Sequence, residues 1–117
     1  MDCNAKELAK LAAEALSEKK CEDVTILDIS AVSTIADYFI IADGANANQL
    51  AAMRNAVEER LMKAGCPECR IEGNADSTWI LMDFQDIIVH IFSKEDRLFY
   101  DLERIWRDGE KVKREEL

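Results

Sequence analysis

Several things are scarce in this 117-residue chain, and each scarcity excludes something. No apolar run approaches the ~18 residues that a membrane-spanning helix needs. Positive charge is in short supply, with 15 Lys and Arg against 24 Asp and Glu and a formal net charge of −9. A protein that grips nucleic acid directly usually carries a basic patch, because phosphate contacts supply most of the non-specific affinity. The acidic balance suits a basic protein partner, whose opposite field speeds encounter, or it serves solubility alone. Glycine is sparse, and Gly44-Ala-Asn-Ala-Asn-Gln49 lacks both the glycine spacing and the Lys-Ser/Thr pair of a phosphate loop. It reads as an ordinary capped helix start. The opening Met-Asp-Cys-Asn-Ala-Lys has neither the basic nor the apolar region of a signal peptide, so the cytoplasm is the expected compartment. Repeats and low-complexity linkers are lacking too. Residues 1–108 are expected to form one domain, and the charge run of 109–117 a solvated tail.

About half of the residues are apolar and a third charged, the composition of a globular protein able to bury a core without disulfides. The four cysteines are Cys3, Cys21, Cys66 and Cys69. Cys66-Pro-Glu-Cys69 invites a zinc or redox reading. A structural zinc site needs four well-placed ligands, and here the other two cysteines are widely separated. A redox pair belongs at a helix N-terminus, whereas these two follow the end of a helical pattern. Free thiols are the expectation, with no metal and no cofactor.

Helical periodicity marks three segments. Leu8, Leu11, Ala12, Ala15 and Leu16 stripe residues 4–19, with Asn4 and Glu7 as a capping box. Leu50, Met53, Val57 and Leu61 stripe 47–64, which Asn46 and Gln49 open and Gly65-Cys-Pro67 closes. Leu98, Phe99, Leu102, Ile105 and Trp106 stripe 94–107, capped by Ser93 with Asp96, and most of them are expected in the core. Strands are expected at 24–29, 38–43, 78–84 and 86–92, with a short edge strand at 70–73. The order αββα(β)ββα gives an α/β (α+β) domain: a mixed sheet of four to five strands with three helices.

Side chains alternate across a strand, so each half of the hairpin 78–92 has two characters. Ile80, Met82, Ile87, Val89 and Ile91 are aliphatic throughout. Trp79, Leu81 and Asp83, with Asp86, Ile88, His90 and Phe92, form a mixed set: apolar, with polar handles. Such composition is typical of interface centres, but a second core with a hydrogen-bonded His90 has the same periodicity. Periodicity leaves both open. His90 has no accompanying nucleophile motif, and Asp83 and Asp86 bracket a turn, where Asp is common for local hydrogen bonding.

Taken in order, Ala36-Asp-Tyr-Phe-Ile-Ile41, Gly44-x-Asn-x-x-Gln49, Glu72-Gly73, Trp79-x-Leu-x-Asp83, Asp86-x-x-x-His-x-Phe92, Arg97-x-Phe-Tyr-x-Leu-Glu103 and Trp106 resemble the ribosomal silencing factor, or Iojap-like, family. The likeness covers about residues 5–108. No single piece is specific; the seven in sequence are. The resemblance implies a fold similar to the nucleotidyltransferases without their activity. It also implies a translational repressor that binds the large ribosomal subunit through ribosomal protein L-fourteen and sterically blocks subunit joining. Departures are modest: Gln85 stands where the family's turn usually has Gly, Asn46 where it has Ser, and Arg107-Asp108-Gly109 follows the last Trp.

The partner-binding residues expected on this basis are Trp79, Leu81, His90 and Phe92, with Asp83 and Tyr100 as polar contributors. An exposed mixed face would equally allow a homodimer. The alternative is a metal-dependent nucleotidyltransferase-like enzyme. Its motif, a Gly-Ser or Gly-Gly turn before carboxylates two apart, is missing, because Asp83 and Asp86 are three apart across a turn.

Overall fold

In the computed structural model, residues 5–19, 24–31, 36–65, 70–73, 78–100 and 110–112 are described. Among these residues are three helices, α1 (Ala5–Glu18), α2 (Ala47–Lys63) and α3 (Lys94–Tyr100), and six strands. The strands are β1 (Thr25–Asp28), β2 (Tyr38–Gly44), β3 (Arg70–Glu72), β4 (Trp79–Asp83), β5 (Ile87–Ser93) and β6 (Glu110–Val112). They form one mixed sheet in the order β3-β4-β5-β2-β1-β6. The α+β class and the mixed sheet are as expected, with one strand more than the sequence suggested.

That extra strand lies in the charge run expected to be a solvated tail. Glu110–Val112 pairs antiparallel with β1, setting Val112 opposite Ile26 and Glu110 opposite Asp28. The reason is backbone hydrogen bonding. The outer edge of β1 offers unpaired N–H and C=O groups, and a charged segment satisfies them as well as an apolar one.

Sequence neighbours joined without a helix pair antiparallel: β1 with β2, β3 with β4, and β4 with β5. Among the described residues the one parallel pairing is β2 with β5, at the sheet centre, with Ile41 opposite His90 and Asp43 opposite Phe92. Helix α2 lies between these two strands in the chain and permits the crossover that parallel pairing requires. Both central strands are buried over most of their length.

Helices α1 and α2 cover one face. Their Leu8, Leu16, Leu50, Met53, Val57 and Leu61 pack on Ile40, Ile80, Met82, Ile87, Val89 and Ile91. The capped start of α2 is as expected: the Gln49 amide donates to Asn46 Oδ1 at 2.8 Å, and the Gln49 side chain returns to accept from the Ala45 amide at 2.6 Å. Gly44 lets α2 approach the end of β2, since a Cβ there would meet Leu50 Cδ2 at 2.9 Å. No described helix is long and apolar enough to cross a membrane.

Several expectations fall outside the described residues: the Asn4 cap, all four cysteines, and Leu102, Ile105 and Trp106. Phe99 and Tyr100 belong to α3 by backbone, and their side chains lie outside the description. Leu98, from the stripe expected to be mostly core, is 82 % exposed. The cause is the way α3 sits. Asp96 accepts a hydrogen bond from the Thr78 hydroxyl, while Arg97 reaches the opposite way to Asp43 and Thr25, and Leu98 is left facing outward.

Candidate interaction face

The face of the sheet away from α1 and α2 carries a second apolar cluster. Leu27, Ile29, Ala36, Phe39, Ile41, Ile88 and Phe92 are buried in it, with Trp79 and Leu81 packed against them and only half-buried. Strand register builds this cluster in rows. Trp79, Phe92 and Asp43 form one, Leu81, His90 and Ile41 the next, and Asp83, Ile88 and Phe39 the third. The mixed set read from strand alternation therefore does share one face, apart from Asp86, which precedes β5 and is exposed in the turn.

At its centre is an aromatic stack. The rings of His90 and Phe92 are parallel within 6° at 5.9 Å, Trp79 tilts over Phe92 at 5.0 Å, and Phe39 meets His90 edge-on at 4.9 Å. The Trp79 indole N–H donates to His90 Nδ1 at 3.2 Å. Indole nitrogen is a donor only, so Nδ1 must be the unprotonated nitrogen and the neutral ring carries its proton on Nε2. Nε2 is buried and has no hydrogen-bond partner among the described residues. Burial pushes the imidazole pKa down to about 4, because a charged ring would lose its water with no counter-charge in exchange.

The six expected contact residues thus separate by depth. Trp79, Leu81 and Asp83 reach solvent in part. His90 and Phe92 are 4 % and 1 % exposed and form the layer beneath them. Tyr100 sits at the end of α3. Asp83 also serves the turn, with Oδ1 accepting the Gln85 amide at 2.8 Å. Gln85 has φ 74, the left-handed conformation that glycine adopts most easily, so the turn keeps a glycine geometry without the glycine.

Two features of the face are not legible in the hairpin alone. Phe39 and Ile41 join it only through the parallel register of β2 with β5. Alternation within 38–43 does place Phe39, Ile41 and Asp43 together, but nothing local says which strand lies beside them. The second feature is a polar latch at the end of the face. Arg97, nearly buried, lies 3.6 Å from the Asp43 carboxylate and donates to Thr25 Oγ1 at 2.8 Å. It holds the start of α3 across β2 and β1. Among the described residues, no group of three or more His, Cys, Asp or Glu side chains is arranged to hold a metal ion.

The model of the family described as "Ribosomal silencing factor during starvation" matches residues 2–117. The chain belongs to the ribosomal silencing factor family. It is 35 % identical over 106 residues to the ribosomal silencing factor of Bacillus subtilis, covering 91 % of this chain and 90 % of that one. A crystal structure of a Chromobacterium violaceum protein superposes with a TM-score of 0.85 at 34 % identity, covering 95 % of this chain and 92 % of that one. A mouse protein named "Mitochondrial assembly of ribosomal large subunit protein 1" is 27 % identical over 78 % of this chain and 41 % of its own length. The silencing-factor fold is therefore shared over nearly the whole chain.

Proposed function

We propose that this silencing factor represses translation by occupancy, in the cytoplasm and without catalysis. It binds the free large ribosomal subunit through ribosomal protein L-fourteen and sterically prevents the small subunit from joining. The observation that carries this reading is the half-buried Trp79–Leu81 pair, mounted on a rigid aromatic layer, on the sheet face that α1 and α2 leave uncovered. An amphipathic aromatic held over a packed base is the kind of residue that anchors interface centres. Family membership supplies the ribosomal partner, and the name of the mouse relative points to the same subunit.

In this reading Trp79 and Leu81 are the apolar anchors, and Asp83 and Tyr100 are polar contributors. His90 and Phe92 contribute from below, as the surface on which Trp79 rests. The net charge of −9 favours encounter with the basic surface of the ribosomal protein and tunes the on-rate more than the affinity. A transferase role is disfavoured because the Asp83 carboxylate is engaged in the turn, and Asp86 lies beyond it rather than beside it.

The test is subunit joining followed by light scattering. Purified bacterial large subunits, preincubated with the protein, should fail to associate with small subunits in proportion to the protein added. Normal joining at saturating protein would remove the occupancy mechanism. Scattering from the protein alone reports whether the same face is used in a homodimer, which would compete with the subunit.

A further inference from the structure

A phenyl ring at position 90 would stack on Phe92 as well as an imidazole does. The imidazole instead carries a buried Nε2 proton with no partner among the described residues, an arrangement that is unfavourable in itself. What it provides that a phenyl could not is one acceptor, Nδ1, and that acceptor is taken by the indole N–H of Trp79. Trp79 is the half-buried member of the stack, tilted over Phe92. Aromatic stacking alone tolerates sliding and tilting, whereas a hydrogen bond at the indole edge fixes the ring's rotation within its plane.

We infer that His90 is a positioning residue: through Nδ1 it locks the Trp79 indole in the orientation that the partner recognises, without itself touching the partner. This rests on the reading of Trp79 as an anchor. It goes beyond that reading by assigning a tautomer and a hydrogen bond to the recognition step. Locking a surface aromatic before binding removes the ordering cost that a mobile side chain incurs on association. The three rings around the imidazole, Trp79, Phe39 and Phe92, carry no charge, so the neutral Nε2–H tautomer persists throughout the neutral pH range.

Two substitutions separate positioning from mere packing. His90→Phe keeps the ring volume and deletes the acceptor. His90→Asn loses volume but keeps an acceptor oxygen near the place of Nδ1. If His90 only fills space, large-subunit affinity follows stability, and the Phe variant binds at least as well as the Asn variant. Positioning reverses the order: His90→Phe weakens binding to purified bacterial large subunits by roughly five- to tenfold, while His90→Asn retains more of it although it melts lower.

Nuclear magnetic resonance of the free protein gives a readout that involves no ribosome. The Trp79 indole N–H should be shifted downfield and protected from exchange in the wild type and in His90→Asn, and lose both properties in His90→Phe. The His90 nitrogens should show the Nε2–H tautomer. An unprotected indole N–H in the wild type, or the Nδ1–H tautomer, overturns the inference outright. Coupling completes the test. In a Trp79→Phe background, which has no indole N–H, His90→Phe should cost no further affinity, and additive losses would again refute positioning. Full affinity in Trp79→Phe and Trp79→Ala, by contrast, would reject the anchor reading itself.

Discussion

The two faces of the sheet are built from the same strands and solve different problems. Under α1 and α2 the contacts are mostly aliphatic and sealed, with Ile40, Met53, Val57, Leu61, Met82 and Val89 all fully buried and Phe84 buried beside them. The other face holds an imidazole, a charged pair at its end and two apolar side chains that solvent still reaches. Apolar burial contributes stability in rough proportion to area. The first face, with the larger buried cluster, therefore contributes the larger share of the stability. The second forgoes part of that contribution, because Trp79 and Leu81 are only half-buried.

Substitutions can sharpen or break this contrast. The largest effect on folding is expected on the sealed face. Leu61→Ala, in a site with no exposure, should lower the unfolding free energy by about 2–5 kcal/mol in chemical denaturation. Leu81→Ala on the open face should lower it by no more than about 1.5 kcal/mol, because a half-buried side chain has less transfer energy to lose. Equal losses would mean that the two faces are equivalent.

Acid separates them next. His90 has its folded-state pKa pushed down to about 4 from an ordinary 6.5. Its contribution is therefore complete above pH 6.5, where both states hold the neutral ring. It is lost as pH falls from 6.5 to 4, where only the unfolded chain takes up the proton, and it changes no further below that. The size is about 3 kcal/mol. Between pH 7 and 4 the wild type should lose about that much stability relative to His90→Phe, which has no proton to take up. Parallel curves would show that the imidazole is not buried as described.

The smallest expected change is a gain. Gln85 sits at φ 74 in an exposed turn. Gln85→Gly should raise stability by about 1 kcal/mol, since glycine enters the left-handed region without the Cβ penalty. An unchanged or lowered melting temperature would mean that the Gln85 side chain compensates for the strain.

Much of the arrangement was readable from local pattern. The helical stripes of α1 and α2, the Asn46–Gln49 cap and the two characters of the hairpin each depend on residues only a few positions apart. Which face the helices take was not readable, because Ile80–Met82 and Trp79–Leu81 are both apolar enough to be covered. The choice is made by α1 and α2 together, through packing that spans the chain. Phe39 and Ile41 joined the site through a parallel register, which no short spacing encodes. The strand at Glu110–Val112 is set by the open edge of β1 and not by its own charged composition. Leu98 fits a helical stripe and still faces outward, because the ties of Asp96 and Arg97 fix how α3 sits. Alternation put Trp79, Leu81, Asp83, Ile88, His90 and Phe92 on one face but gave no depth, and depth is what separates Trp79 and Leu81 from His90 and Phe92.

The central claim is that the open face is an interaction surface mounted on an independently stable core. Trp79→Ala tests it most directly, by sedimentation with purified large ribosomal subunits alongside a denaturation curve of the same preparation. The variant should unfold cooperatively yet bind at least about thirtyfold more weakly, the loss of about 2 kcal/mol or more expected for an aromatic anchor. Normal co-sedimentation by a folded Trp79→Ala protein would contradict the account.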